Sequence, residues 1–135
     1  MNNLPSAFTQ RMHRLLQTET DRFLDVLQKA APVSIRFNTA KLAPASVRCS
    51  AWEGMRPVKW CPEGLYLDKR PLFTLDPYLH GGGYYVQEAS SMFLSYILKQ
   101  LLKGEAVRVL DLCAAPGGKS TLLASQLPDG SLLVS

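Results

Sequence analysis

The chain has 135 residues, 47% of them hydrophobic and 19% charged, with nine Gly and nine Pro, a composition that excludes disordered, collagen-like and low-complexity chains and fits a soluble domain with a modest core. No apolar run approaches the roughly 20 residues that a membrane-spanning helix needs, and Met1 to Ser6 lack the basic-then-apolar pattern of a secretory leader, so a cytoplasmic address without membrane attachment is expected. The net charge of +4 is unevenly placed: residues 1–103 hold thirteen basic and eight acidic side chains, whereas residues 104–135 hold two and three. Such an excess suits a polyanion partner, because Lys and Arg contacts to phosphates dominate nucleic-acid affinity. It equally suits a plain solvated surface. Cys49, Cys61 and Cys113 have no C-x-x-C spacing and lie far in sequence from His13 and His80, so neither a disulfide framework nor a metal site is expected. All three cysteines read as small buried apolar residues.

In chain order, Ser6 is expected to cap a helix that aligns Phe8, Met12, Leu15 and Leu16. Thr18 or Thr20 is expected to cap a second, carrying Phe23, Leu24, Leu27 and Ala31 before Pro32 ends it. The pair reads as a helical hairpin. Val33 to Asn38 alternates strictly, which predicts a half-buried strand with Val33, Ile35 and Phe37 inside and a polar exterior of Ser34, Arg36 and Asn38. Prolines and glycines divide the middle into short pieces: a brief helix around Ala45 to Trp52 and short strands at Val58 to Trp60 and Leu65 to Leu67. There Arg36, Lys59, Lys69 and Arg70 among Trp60, Tyr66 and Phe73 could stack on and pair with RNA, or could be core aromatics and solubilising charges. Gly81 to Gly83 reads as a flexible joint. The run Met92, Phe93, Tyr96, Ile97, Leu98, Leu101 and Leu102 is helical in spacing, Gly104 is expected at its C′ position, and Val107 to Leu112 reads as a buried parallel strand.

That strand opens into D-L-C-A-A-P-G-G-K-S, Asp111 to Ser120, which leads into a helical pattern from Thr121 to Leu127. In a strand, glycine-bearing loop and helix unit, Gly117 and Gly118 let backbone N–H groups approach a ligand, and the helix amino terminus favours an anionic end. A Walker A loop would need a glycine where Cys113 stands, and a dinucleotide G-x-G-x-x-G is absent. S-adenosylmethionine therefore ranks above ATP, since an amino-acid carboxylate needs fewer backbone donors than a triphosphate.

The same string resembles motif I of the Fmu/Sun (Nop/Sun) family of RNA cytosine-C5 methyltransferases. Y-Y-V-Q-E-A-S-S-M, Tyr84 to Met92, resembles the segment that precedes it in those enzymes. L-P-S-A-F and V-S-I-R-F-N-T, Val33 to Thr39, are similar to the amino-terminal region of the bacterial ribosomal-RNA branch, the RsmF-like proteins. The resemblance implies an α+β amino-terminal module of RNA-binding type (residues 1–80) and a linker with a connecting helix (81–103). After these would come the start of an α/β Rossmann-like S-adenosylmethionine-dependent methyltransferase domain (104–135), truncated after its first strand, loop and helix. It assigns Cys113, Ala114, Ala115, Pro116, Gly117, Gly118 and Lys119 to the cofactor loop, with Lys119 near the methionine carboxylate or the helix end and Asp111 shaping the loop.

Chemistry at cytosine C5 requires a thiolate that adds to C6, an acid that hydrogen-bonds the ring and a base that removes the C5 proton. The family supplies these groups from D-A-P-C and T-C-S elements downstream of motif I, and neither string occurs here. No catalytic residue is therefore assigned in this chain, which alone is expected to be inactive. The expected function is S-adenosylmethionine-dependent methylation of cytosine C5 in ribosomal RNA, with this chain as the amino-terminal part of the enzyme. The rival readings are a noncatalytic RNA-binding remnant and, more weakly, a fragment of a P-loop NTPase.

Overall fold

A computed structural model describes residues 4–42 and 55–135, and the expected helix around Ala45 to Trp52, together with Cys49, lies outside the described residues. The chain separates into two compact units, Met1–Ala31 and Pro32–Ser135.

The first unit is the expected helical hairpin, α1 (Ser6–Leu16) and α2 (Thr20–Leu27), with the Phe8 and Phe23 rings 6.5 Å apart between centroids. Its caps differ from expectation. Pro5, extended at φ −57° and ψ 136°, takes the cap position of α1, and its carbonyl accepts from the Thr9 N–H and the Thr9 hydroxyl, so Ser6 is already helical. The chain turns at Gln17, which sits at φ +46°, and Glu19 rather than a threonine precedes α2. Thr20 is the first residue of α2, and its buried hydroxyl donates back to the Gln17 carbonyl at 2.8 Å. α2 also stops at Leu27, four residues short of Ala31. Ala31 precedes Pro32, and a residue before proline is pushed out of the helical region.

The second unit is built on a four-stranded antiparallel sheet of order β2-β3-β1-β4, comprising β1 (Val33–Phe37), β2 (Arg56–Val58), β3 (Cys61–Leu67) and β4 (Tyr84–Val86). Successive side chains of a strand alternate between faces. On one face Ile35 and Phe37 join Phe73 and Tyr84 in an apolar core, flanked by Val33, Leu65, Leu67, Leu79 and Val86. The other face packs on α4 (Phe93–Leu101) and α5 (Gly118–Gln126), through Val58, Cys61, Ala89, Met92, Leu98, Leu122 and Leu123. Gly64, paired opposite Arg36, lies on this face, and a Cβ there would stand 2.6 Å from the Met92 sulfur.

The middle strands are displaced from their expected places. β2 ends at Val58, so Trp60 falls in the turn, and β3 begins at Cys61 and runs through Pro62 and Gly64. Pro62 is tolerated because the β1 ladder ends at the Arg36–Gly64 pair and asks no N–H of residue 62. The glycine joint is a hydrogen-bonded turn. α3 (Pro77–His80), capped by Asp76, sends its carbonyls to the N–H groups of Gly81, Gly82 and Gly83, while the Gly83 carbonyl accepts from the Asn38 N–H at 2.8 Å. β4 then pairs with β1, so the sheet continues through Val86 and the connecting stretch begins only after it.

α4 ends at Leu101, with Leu102 already extended, which leaves Gly104 (φ +88°) in the turn beyond and not at C′. β5 (Arg108–Leu110) and β6 (Leu132–Val134) pair in parallel with α5 between them, a β-α-β unit. The strand expected to be buried is covered on one side only. Val109 and Leu133 pack toward Leu122 and Leu123, whereas Leu110 is 64% and the following Leu112 84% exposed. Among the described residues no helix is long and apolar enough to cross a membrane.

Candidate functional site

The segment Asp111 to Ser120 is a loop folded by its own side chains. Asp111 at the end of β5 accepts from the Cys113 N–H at 3.0 Å with one carboxylate oxygen and from the Ser120 hydroxyl at 2.7 Å with the other, tying the loop's start to the first turn of α5. Those two bonds, the Ser120 hydroxyl first, hold the Asp111 carboxyl below its ordinary value, and Lys119 adds a smaller pull. Gly117 takes φ +102° at the N-cap of α5, a left-handed conformation that side chains resist. Its N–H returns to the Ala114 carbonyl at 2.6 Å, while its own carbonyl accepts from the Thr121 N–H at 2.9 Å and the Thr121 hydroxyl at 2.8 Å.

Six of the seven residues assigned to the loop by resemblance, Cys113, Ala114, Ala115, Pro116, Gly118 and Lys119, line one cleft of about 220 Å³, and Gly117 makes the left-handed turn between them. The opposite wall comes from Tyr85, Val86, Gln87, Glu88 and Ser91, so the two sequence motifs meet across this cleft. A larger cavity of about 360 Å³, bordered by Glu63, Lys99 and Gln126 among others, involves neither motif. Lys119 is exposed and forms no ion pair among the described residues. Cys113 is exposed too, contrary to the expectation of a buried apolar residue, because it lies in the loop beyond β5, which ends at Leu110. Cys61 is buried as expected, and burial, followed by its 3.3 Å contact to Glu63, pushes its thiol pKa up.

The polar side of β1 is where the structure departs most from the sequence reading. Arg36, expected on an exterior basic face, is 4% exposed and lies between the sheet and α5. Its Nε donates to the Gln87 Oε1 at 2.8 Å, Nη2 to the Thr121 hydroxyl at 2.8 Å and Nη1 to the Ser125 hydroxyl at 3.4 Å. Burial pushes its pKa down, opposed by Cys61, Glu63 and Tyr85. Gln87 donates onward to the Gly118 carbonyl at 3.1 Å, Tyr85 to the Pro116 carbonyl at 2.9 Å, and Ser34 to the Gln87 carbonyl at 2.6 Å. Sequence reasoning missed these partners, although Thr121 and Ser125, four apart, form a polar stripe on one helix face.

The aromatic and basic set proposed for RNA stacking is largely engaged in the fold. Phe73 is buried with Arg70 over its ring at 5.5 Å, Arg56 covers Tyr66 at 5.6 Å, and the Trp60 indole N–H donates to the Ala89 carbonyl at 2.6 Å. Lys59, Lys69 and Arg70 remain exposed.

Comparison with known proteins places this arrangement. The family described as the N-terminal domain of 16S rRNA methyltransferase RsmF matches residues 4–89. Ribosomal RNA small subunit methyltransferase F of Cronobacter sakazakii is 33% identical over 98% of this chain, and that of Shigella dysenteriae is 35% identical over 97%. A solved methyltransferase homolog protein from Pyrococcus horikoshii superposes over 97% of this chain and 43% of its own, with a TM-score of 0.73 and 30% identity. The chain spans about 29% of the length of the curated relatives it matches. With the match reaching across the helical hairpin, the antiparallel sheet and the Tyr84–Met92 motif as far as Ala89, the chain belongs to the family of the RsmF N-terminal domain.

Proposed function

We propose that this chain serves S-adenosylmethionine-dependent methylation of cytosine C5 in ribosomal RNA. In this reading residues 1–80 form the RNA-binding module, residues 81–103 a linker with a connecting helix, and residues 104–135 open a Rossmann-like methyltransferase domain that acts in the cytoplasm. The observation that carries the reading is the meeting of the loop 113–119 with Tyr85 to Ser91 across one cleft. The groups lining it suit the amino-acid end of the cofactor. The N–H groups of the first turn of α5 lack intrahelical partners, the helix end favours a carboxylate, and Lys119 adds a cation. Glu88, exposed on the opposite wall, supplies a carboxylate for an ammonium.

S-adenosylmethionine, when bound, supplies an electrophilic methyl group. The chain's own residues hold and orient it: Gly117 and Asp111 shape the loop, and Lys119 and the helix end take the carboxylate. Cys61 is sealed in the core and Cys113 belongs to the loop, so neither is assigned the thiol that adds to cytosine.

The test is thermal unfolding of the chain with and without S-adenosylmethionine. A ligand that binds only the folded form stabilises it by about 2.7 kcal/mol at 100 times its Kd, so the midpoint should rise with concentration. An unchanged midpoint at millimolar cofactor would overturn the reading.

A further inference from the structure

Three consecutive loop carbonyls are held by side chains. Tyr85 takes Pro116, Thr121 takes Gly117 and Gln87 takes Gly118, at 2.9, 2.8 and 3.1 Å. Arg36 stands behind two of the three. Its Nη2 donates to the Thr121 oxygen, which leaves the Thr121 proton free to go to Gly117, and its Nε occupies the Gln87 Oε1, which leaves the Gln87 amide nitrogen to face Gly118. A guanidinium has only donors, so it fixes the polarity of both relays. In a trans peptide the N–H points opposite the carbonyl. The Gly117 carbonyl lies along α5, accepting from the Thr121 N–H at 2.9 Å as well as from its hydroxyl, so the side-chain bonds reinforce a first turn whose Gly118 and Lys119 N–H groups face the open end of the helix.

A buried cation whose hydrogen-bond partners are neutral hydroxyls and an amide is a poor choice for stability alone, since desolvation opposes it. Placed one turn inside a helix amino terminus, the same charge adds to the field that an anion meets there. We infer that Arg36, acting through Thr121 and Gln87, is a positioning residue that sets the two N–H donors of the loop for the carboxylate of the bound ligand. The inference rests on the proposed cofactor reading and adds to it a determinant located on the antiparallel sheet.

The experiment is calorimetric titration of S-adenosylhomocysteine, which keeps the carboxylate and lacks the methyl group, into the unaltered chain, Thr121→Val and Thr121→Ser, with thermal midpoints recorded in parallel. Valine keeps the shape of threonine and removes the hydroxyl, whereas serine restores it. Thr121→Val should weaken binding by about tenfold, the size of one hydrogen bond. Thr121→Ser should return it to within about threefold of the unaltered chain, whatever the order of the midpoints. Equal affinity in the unaltered chain and Thr121→Val, or equal weakening in both variants, would overturn the inference while leaving the cofactor reading intact. Absence of binding by the unaltered chain would overturn both. If Thr121→Val shows no cooperative unfolding, Arg36→Lys decides: lysine keeps the charge but not the fork, so weakened binding is expected and unchanged affinity contradicts the proposal.

Discussion

The two faces of β1 are made from adjacent residues of one strand and do different work. Ile35 and Phe37 point into an apolar core closed by Phe73 and Tyr84, where stability comes from area removed from water. Ser34 and Arg36, themselves buried, make directional hydrogen bonds to buried Gln87 and to the exposed Thr121 and Ser125 of α5. The apolar face tolerates small shifts, because dispersion is non-directional. The polar face does not, since each donor must meet its acceptor in angle and distance. Both sides of the sheet bury apolar area, but on the side facing α5, β1 itself contributes hydrogen bonds that tie the sheet to the loop at the start of that helix.

That contrast can be broken by substitution. Ile35→Ala on the apolar face should cost about 2–5 kcal/mol in chemical denaturation, the range for a large-to-small core change, and should leave ligand affinity unchanged wherever the chain is folded. Arg36→Met on the polar face should cost less, about 1–2 kcal/mol, because the unsatisfied Gln87 and Thr121 acceptors are partly offset by relief of charge burial. Its ligand affinity should nevertheless fall. A stability loss for Arg36→Met as large as that for Ile35→Ala would mean the two faces are alike.

Within the loop, Gly117→Ala should lose about 1–2 kcal/mol for forcing a side chain into a left-handed backbone. Gly118→Ala should be close to neutral for stability, since a Cβ there makes ordinary contact with Tyr85 at 3.4 Å. The two melting midpoints distinguish these glycines directly. At Asp111 the expected effect is a pH dependence. A carboxyl whose folded pKa is lowered contributes stability above its unfolded value and loses it as pH falls through the folded one. The midpoint difference between the unaltered chain and Asp111→Asn should therefore be constant near neutrality and shrink only below about pH 3.9.

The strand, loop and helix at 107–127 was legible because its signal is local: an apolar run, a glycine pair and a helical period in succession. β1 was legible as a strand for the same reason, but its environment was not. Alternation shows that two faces differ and says nothing of whether the polar one meets water or another polar surface, so Arg36 read as exterior. Gly81 to Gly83 read as flexible because glycine permits many conformations, whereas the bonds that select one come from Tyr78 and Asn38, the latter more than forty residues away. The single-sided burial of β5 also escaped, since an apolar run looks the same whether one face is covered or two.

The most direct measurement is a two-dimensional amide NMR titration of the chain with S-adenosylhomocysteine. Shifts should concentrate at residues 113–119, with Gly118 and Lys119 foremost, and at Tyr85 to Glu88 on the facing wall. Shifts confined to the larger cavity beside Glu63, Lys99 and Gln126, or none at saturating ligand, would contradict the cofactor reading.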